Sequence, residues 1–290
     1  MPASELSYKS ADGTPIAAYK WEPEDAPKAA VQLTHGMGEH ARRYEHVARA
    51  LNDAGFVVYA QDHRGHGATG DPADYGNLGA GGWTALVEDI GLLSEKIRAD
   101  HPGLPLILLG HSMGSFAVQQ YLLDHSADAD GVVLTGTAAI DLLEPALDLD
   151  APMDLTAFNA PFQPPRTDYD WLSRDEAIVD AYIADPACGF GIDPGSAKIM
   201  FAGARRLADP AQIEGIRDDL PLYIAVGEAD PVNGGLALLT PLTERLEAAG
   251  LTDVTVRTYP GARHEILNET NRDEVIAELN RWLDRVATAG

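Results

Sequence analysis

The sequence predicts an α/β fold, a mostly parallel sheet with helices on both faces, interrupted once by an inserted segment. Three observations predict it. Short apolar runs alternate with segments of helical period along most of the chain. Two of these runs, "PLILLG" (105–110) and "GVVLTGT" (131–137), are apolar without alternation, as strands covered on both faces are. The rhythm stops near residue 139 and resumes near 217, with a proline-rich, aromatic stretch between.

The elements follow in order. Residues 4–21 read as two strands around an Asp12-Gly13 turn. "AAVQLTHG" (29–36) is a strand ending in His-Gly, after which Tyr44, Val47, Ala48 and Leu51 fall at helical spacing and Gly55 stands at the stop. "FVVYAQD" (56–62) is strand-like, and Trp83, Leu86, Val87, Ile90, Leu93 and Ile97 mark an amphipathic helix ending before Pro102. The run at 105–110 leads through "GHSMG" into a further helix, and 131–137 is the next strand. Beyond the insertion come "LPLYIAVGEAD" (220–230), a helix around Leu242 and Leu246, the strand "VTVRTY" (254–259), and a closing helix with Leu279, Trp282 and Leu283. The predicted organisation is one catalytic domain, 1–138 with 217–290, carrying an insertion at 139–216.

Composition narrows the function. With 290 residues, 45% of them hydrophobic, the chain is able to bury a large core. No stretch approaches the roughly 18 apolar residues of a membrane span. The polar "MPASELSYKSADG" start lacks the basic and apolar blocks of a signal peptide. The single cysteine, Cys188, has no intramolecular disulfide partner, which favours a reducing, cytoplasmic setting. A net charge of −24, with five lysines against sixteen arginines, repels nucleic acid and anionic membranes. The charge reads as a solvated coat, and oligomeric state is not legible.

The chemistry begins at "LILLGHSMGSFAV" (106–118), where Gly110-His-Ser112-Met-Gly114 joins two apolar blocks. This G-x-S-x-G form predicts a sharp strand-to-helix turn that lifts the Ser112 hydroxyl above the sheet edge. Its glycines are expected either to avoid collision with neighbouring backbone or to supply unusual dihedrals. A serine hydroxyl needs a base, and the base needs an orienting acid. His264, in "YPGARHEILNE", lies just past a predicted strand, at the edge where sites gather in open sheets. Asp230, in "VGEADPVN", ends another such strand, and the order Ser112, Asp230, His264 is one in which such triads occur. Asp141, just past the preceding strand, is the alternative acid. His111 is too close in sequence to serve Ser112 and is expected to support the turn. Two backbone donors for an oxyanion are expected from Met113, after the nucleophile, and from Met37 between Gly36 and Gly38.

Together, "HGMGEHARRY" (35–44), "DHRGHGATG" (62–70), "GHSMGSF" (110–116), "GEADPVN" (227–233) and "RHEILNE" (263–269) resemble the serine α/β-hydrolases of the monoacylglycerol lipase and lysophospholipase group. The resemblance implies an α/β-hydrolase fold and hydrolysis of a small carboxylic ester with an apolar acyl group through an acyl-enzyme. It implies Ser112 as nucleophile, His264 as base, Asp230 as orienting acid, no cofactor, and a cap or lid over an acyl tunnel. The insertion at 139–216 carries none of these motifs. Its aromatics Phe158, Phe162, Trp171 and Phe190 are the expected substrate wall between cap and domain. Alternatives are the same triad cutting an amide, thioester or C–C bond, or a non-catalytic ligand-binding protein on this scaffold.

Two decoys are set aside. "GHGATG" (65–70) fits a dinucleotide pattern, but Asp71-Pro72 and more glycines follow it instead of an apolar helix. The pairs His63/His66 and His35/His40 lack the helical carboxylate–histidine spacing of a metal site, so no metal is expected.

Overall fold

The computed structural model describes residues 3–289; Met1, Pro2 and Gly290 lie outside them. Eight strands form one sheet in the order β1-β2-β4-β3-β5-β6-β7-β8. β1 (Ser4–Lys9) and β2 (Pro15–Trp21) make the antiparallel hairpin expected around Asp12-Gly13. β2 is antiparallel to β4 (Phe56–Gln61), and the rest, β3 (Ala29–Thr34), β5 (Leu106–His111), β6 (Gly131–Thr135), β7 (Leu222–Gly227) and β8 (Val254–Tyr259), run parallel to β4.

The continuous apolar runs are explained by burial on both faces: every residue of β3 to β7 is buried. Side chains alternate across the sheet. Leu106 and Leu108 face the core shared with α2 (Gly82–Asp100) and α3 (Met113–His125). Ile107 and Leu109 face the core shared with α1 (Glu45–Asp53) and α8 (Arg272–Ala289). Tyr44, expected inside the first helix, instead closes a 3-10 turn (Ala41–Tyr44) just before α1. Ala41 starts that turn with its N–H bonded to the Asp62 carboxylate at 2.9 Å, a contact between distant loops that helical periodicity does not encode.

The segment between β6 and β7 holds short 3-10 turns, α4 (Glu176–Ala184), α5 (Pro194–Arg206) and the one-turn α6 (Pro210–Ile213). α7 (Leu239–Ala248) then links β7 to β8. The segment is not a separate globule. Met200 and Phe201 of α5 and Trp171 lie in the same core as α2 and α3. The path that matters for function is the reversal of strand order around β3. The chain leaves β3 toward β4 on one side and returns to β5 on the other, so the loops after Thr34 and His111 diverge above the sheet. Such a crevice at the strands' carboxyl ends is where open α/β sheets bind ligands.

Candidate active site

The elbow forms where β5 ends at His111 and α3 starts at Met113. Ser112 between them has φ 50° and ψ −122°. A non-glycine residue there carries strain of about 1–3 kcal/mol, held by the structure on either side. Its N–H is bonded to the Thr135 carbonyl of β6 at 2.9 Å. The flanking glycines serve close approach and not dihedral freedom. A Cβ on Gly110 would lie 2.7 Å from the Gly114 carbonyl oxygen, and one on Gly114 would lie 2.5 Å from that of His35. Gly36 does the same for the facing loop, since a Cβ there would stand 3.2 Å from the Ser112 Cβ.

Asp230 lies three residues past β7 and His264 five past β8, and both are buried. His264 Nδ1 and Asp230 Oδ2 are 2.9 Å apart. With the carboxylate ionised, Nδ1 is the donor, which leaves Nε2 as the basic nitrogen. Asp230 Oδ1 accepts the Val232 N–H at 2.8 Å, which fixes the carboxylate from its other side. Burial pushes the His264 ring toward neutrality, but the charge and hydrogen bond of Asp230, aided by Glu265 and Glu39, outweigh it and raise its pKa above the ordinary histidine value. Asp141, the alternative acid, is taken by Arg245 through two bonds of 2.7 and 2.9 Å.

His111 packs its ring 4.9 Å from that of His264 and holds Thr135 Oγ1 through Nδ1 at 3.0 Å. Burial and the neighbouring His264 push it down to about 3, so it stands neutral beside the base. Gly136 leaves room for both rings, because a Cβ would fall 2.8 Å from one and 2.9 Å from the other. The segment between β6 and β7 also holds the backbone here: the His264 N–H donates to the Trp171 carbonyl at 3.3 Å and the Glu265 N–H to that of Leu172 at 2.8 Å.

Ser112, His264, Met37 and Met113 line one cavity. Among the described residues the Ser112 hydroxyl makes no hydrogen bond, so the serine–histidine link expected from the sequence is not closed in this structure. The N–H groups of Met37 and Met113 likewise have no acceptor among the described residues. That of Met113 is one of the unpaired donors at the start of a helix. Most of the remaining wall is apolar. Phe158 and Trp171 line it, together with Met153, Leu155, Phe116 and Phe201.

Two expected wall residues are elsewhere. Phe162 is covered by the Arg263 guanidinium, 4.5 Å from its ring centre, and Phe190 stacks on Tyr75 at 5.0 Å. Both are aromatics of the insertion, but their partners lie outside the cavity, and composition carries no sign of that. Conversely, Glu39 and Glu265 line the cavity without having been singled out. Both stand inside the quoted motifs, as does their shared partner Arg43, but the link from Arg43 to Glu265 spans 222 residues and gives no local signal. The dinucleotide-like loop is filled by its own chain. Asp62 bonds the Ala68 N–H at 2.8 Å, and a Cβ on Gly67 would meet that carboxylate. Among the described residues two sets of metal-ligand type cluster, His40/Asp185/Cys188 and Glu39/His111/Glu265. Both carboxylates of the second set are bonded to Arg43.

The family described as "Serine aminopeptidase, S33" matches residues 25–271. The chain is 34% identical to a monoacylglycerol lipase of Mycolicibacterium smegmatis over 97% of its own length and 96% of the relative's. It is 31% identical to the human monoglyceride lipase, covering 97% of this chain and 91% of that one. Among solved structures, a thermostable carboxyl esterase from Bacillus coagulans in complex with glycerol superposes with a TM-score of 0.85 at 30% identity, with 99% of each chain covered.

Proposed function

The chain belongs to the α/β-hydrolase family of serine hydrolases that includes these monoacylglycerol lipases, and from that premise we propose a carboxylic ester hydrolase acting through an acyl-enzyme. The observation that carries the reading is the buried Asp230–His264 hydrogen bond, whose histidine lines the same largely apolar cavity as Ser112. Ser112 Oγ attacks the ester carbonyl while His264 Nε2 takes its proton, and Asp230 holds the ring in the required tautomer. The oxyanion receives the N–H groups of Met37 and Met113, each such donor being worth about 2.7–4 kcal/mol in the transition state. His264 then passes its proton to the leaving alcohol, and water, deprotonated by the same imidazole, releases the acid.

The substrate class is a small ester with an apolar acyl chain, of the monoacylglycerol or lysophospholipid kind. The apolar wall of Phe158, Trp171, Met153 and Leu155 supports this, because each buried methylene contributes up to about 0.8 kcal/mol. Residues 139–216 act as the cap over Ser112, supported by the contribution of Trp171 and Phe158 to the wall. A cytoplasmic location is supported by the single cysteine. No described helix is long and apolar enough to cross a membrane. The strongly negative charge argues against nucleic acid as a partner.

The test is a fluorophosphonate probe together with a panel of esters graded by acyl length, plus one amide isostere. Labelling confined to Ser112 and turnover rising with acyl length are expected. A well-folded Ser112→Ala protein that still hydrolyses the esters overturns the assignment.

A further inference from the structure

One guanidinium ties the loop after β3 to the loop carrying His264. Arg43, only 11% exposed, donates from Nη1 to Glu39 Oε2 at 2.5 Å and to Glu265 Oε1 at 2.7 Å. Its Nη2 donates to Glu265 Oε2 at 2.8 Å. Glu39 in turn accepts the Gly36 N–H at 2.6 Å and the Tyr44 hydroxyl at 2.8 Å, both on Oε1. Glu265 also accepts the Asn268 amide at 2.9 Å. The open face of the guanidinium lies over the Tyr182 ring of α4, 4.8 Å from its centre.

Two buried carboxylates sharing one cation are an expensive arrangement, since apolar side chains of like volume stabilise such a site as well or better. The placement explains the arrangement better than stability does. Glu39 holds the Gly36 N–H, so the next N–H, that of Met37, is left free at the cavity. Glu265 directly follows His264 in the chain. We propose that Arg43 is a positioning residue for catalysis, setting the Gly36–Met37 backbone against Ser112 through Glu39 and fixing the His264 loop through Glu265. The proposal rests on the roles of Ser112, His264 and Met37 given above.

The cluster also reaches the base electrostatically. The titratable groups facing His264 are Asp230 after β7, His111 at the end of β5, Glu39 after β3 and Glu265 beside it, while the insertion contributes the Trp171 ring. Removing the Arg43 cation leaves the two glutamates uncompensated, which holds the His264 proton more tightly. The acid limb of kcat/KM then moves to higher pH.

The experiment measures kcat, KM and Tm for one ester from pH 5 to 9 in Arg43→Met, Arg43→Lys and Glu39→Gln. Arg43→Met is expected to lower plateau kcat by about 30-fold or more, with KM within about threefold and the acid limb moved upward. Arg43→Lys, which keeps the charge, returns the limb and recovers much of kcat. A folded Arg43→Met with plateau kcat within about twofold of the parent overturns the proposal, as does a lysine variant no better than the methionine one. Should Arg43→Met fail to fold, Glu39→Gln decides. A kcat about tenfold lower with the acid limb moved downward upholds the proposal, and an unchanged profile overturns it. Ser112→Ala runs in parallel. If it keeps turnover, the triad reading falls; if it is dead while the Arg43 variants are normal, only the positioning role falls.

Discussion

His264 and the trio His35, His63 and His66 are hidden to the same degree at the same edge of the sheet, following β8, β3 and β4. Their electrostatics point in opposite directions. The trio's ring nitrogens meet the carbonyls of Gly36 at 2.7 Å, His35 at 3.1 Å and Arg64 at 3.0 Å, and no carboxylate is bonded to them among the described residues. Burial therefore dominates. It pushes His35 well below the ordinary value, His63 down to about 3 and His66 to about 4. His264 has the Asp230 carboxylate at 2.9 Å and is raised instead. Hiding an imidazole removes its charge, and a base poised for proton transfer needs an anion hidden with it.

The largest expected effect breaks the two sites separately. Ser112→Ala or His264→Ala should lower kcat by about 10⁴-fold or more with folding intact, because triad members act as a unit. His63→Ala should leave kcat per folded molecule within about tenfold, yet cost roughly 2–4 kcal/mol in urea unfolding through lost packing and an orphaned hydrogen bond. Comparable activity losses in both would erase the distinction.

Next, Asp230→Asn turns His264 into a member of the trio. Turnover should drop by about 10³–10⁴-fold, with the acid limb of the residual activity moved to lower pH. A residual limb unmoved from the parent's would assign the raised value to another group.

The pH response of the parent sharpens the contrast further. Because the base must be neutral, kcat/KM should fall as pH drops through a pKa above 6.5, the direction in which His264 is shifted. Stability should respond with the opposite sign to the trio and His111. Their folded values lie below the unfolded one, so their contribution is complete above about pH 6.5 and declines as pH falls, for His63, His66 and His111 toward pH 3–4. His264, raised on folding, contributes below the unfolded value and loses that contribution as pH rises. Activity and Tm measured on one buffer series would therefore decline separately, activity first. A joint decline would refute the separation.

The smallest expected effect concerns the cavity wall. Phe158→Ala should change the ratio of medium-chain to acetate ester turnover by a few-fold, at about 0.8 kcal/mol per methylene that loses contact. Phe162→Ala, whose ring is covered by Arg263, should leave that ratio unchanged. Equal ratios in both variants would make the wall merely structural.

Much of this was legible because it is local. Strand and helix periods, the Asp12-Gly13 turn and the glycines around Ser112 are written within a few residues of where they act, and the sheet follows them. Strand ends are equally local, so Asp230 and His264 were readable as groups just past β7 and β8. The order of strands then carries them to one edge. What the sequence by itself determined is thus the fold class, the strained serine at the elbow, and the places of Asp230 and His264 just past the strand ends. The tertiary structure alone decided which buried histidines have a raised or a lowered pKa, that Phe162 and Phe190 turn away while Phe158 and Trp171 face the cavity, and that Arg43 joins Glu39 to Glu265. The physical reason is range. A backbone pattern is fixed by neighbours along the chain, whereas Arg43 meets Glu265 across 222 residues, and a side chain's pKa or packing partner depends on contacts that exist only after the sheet has closed.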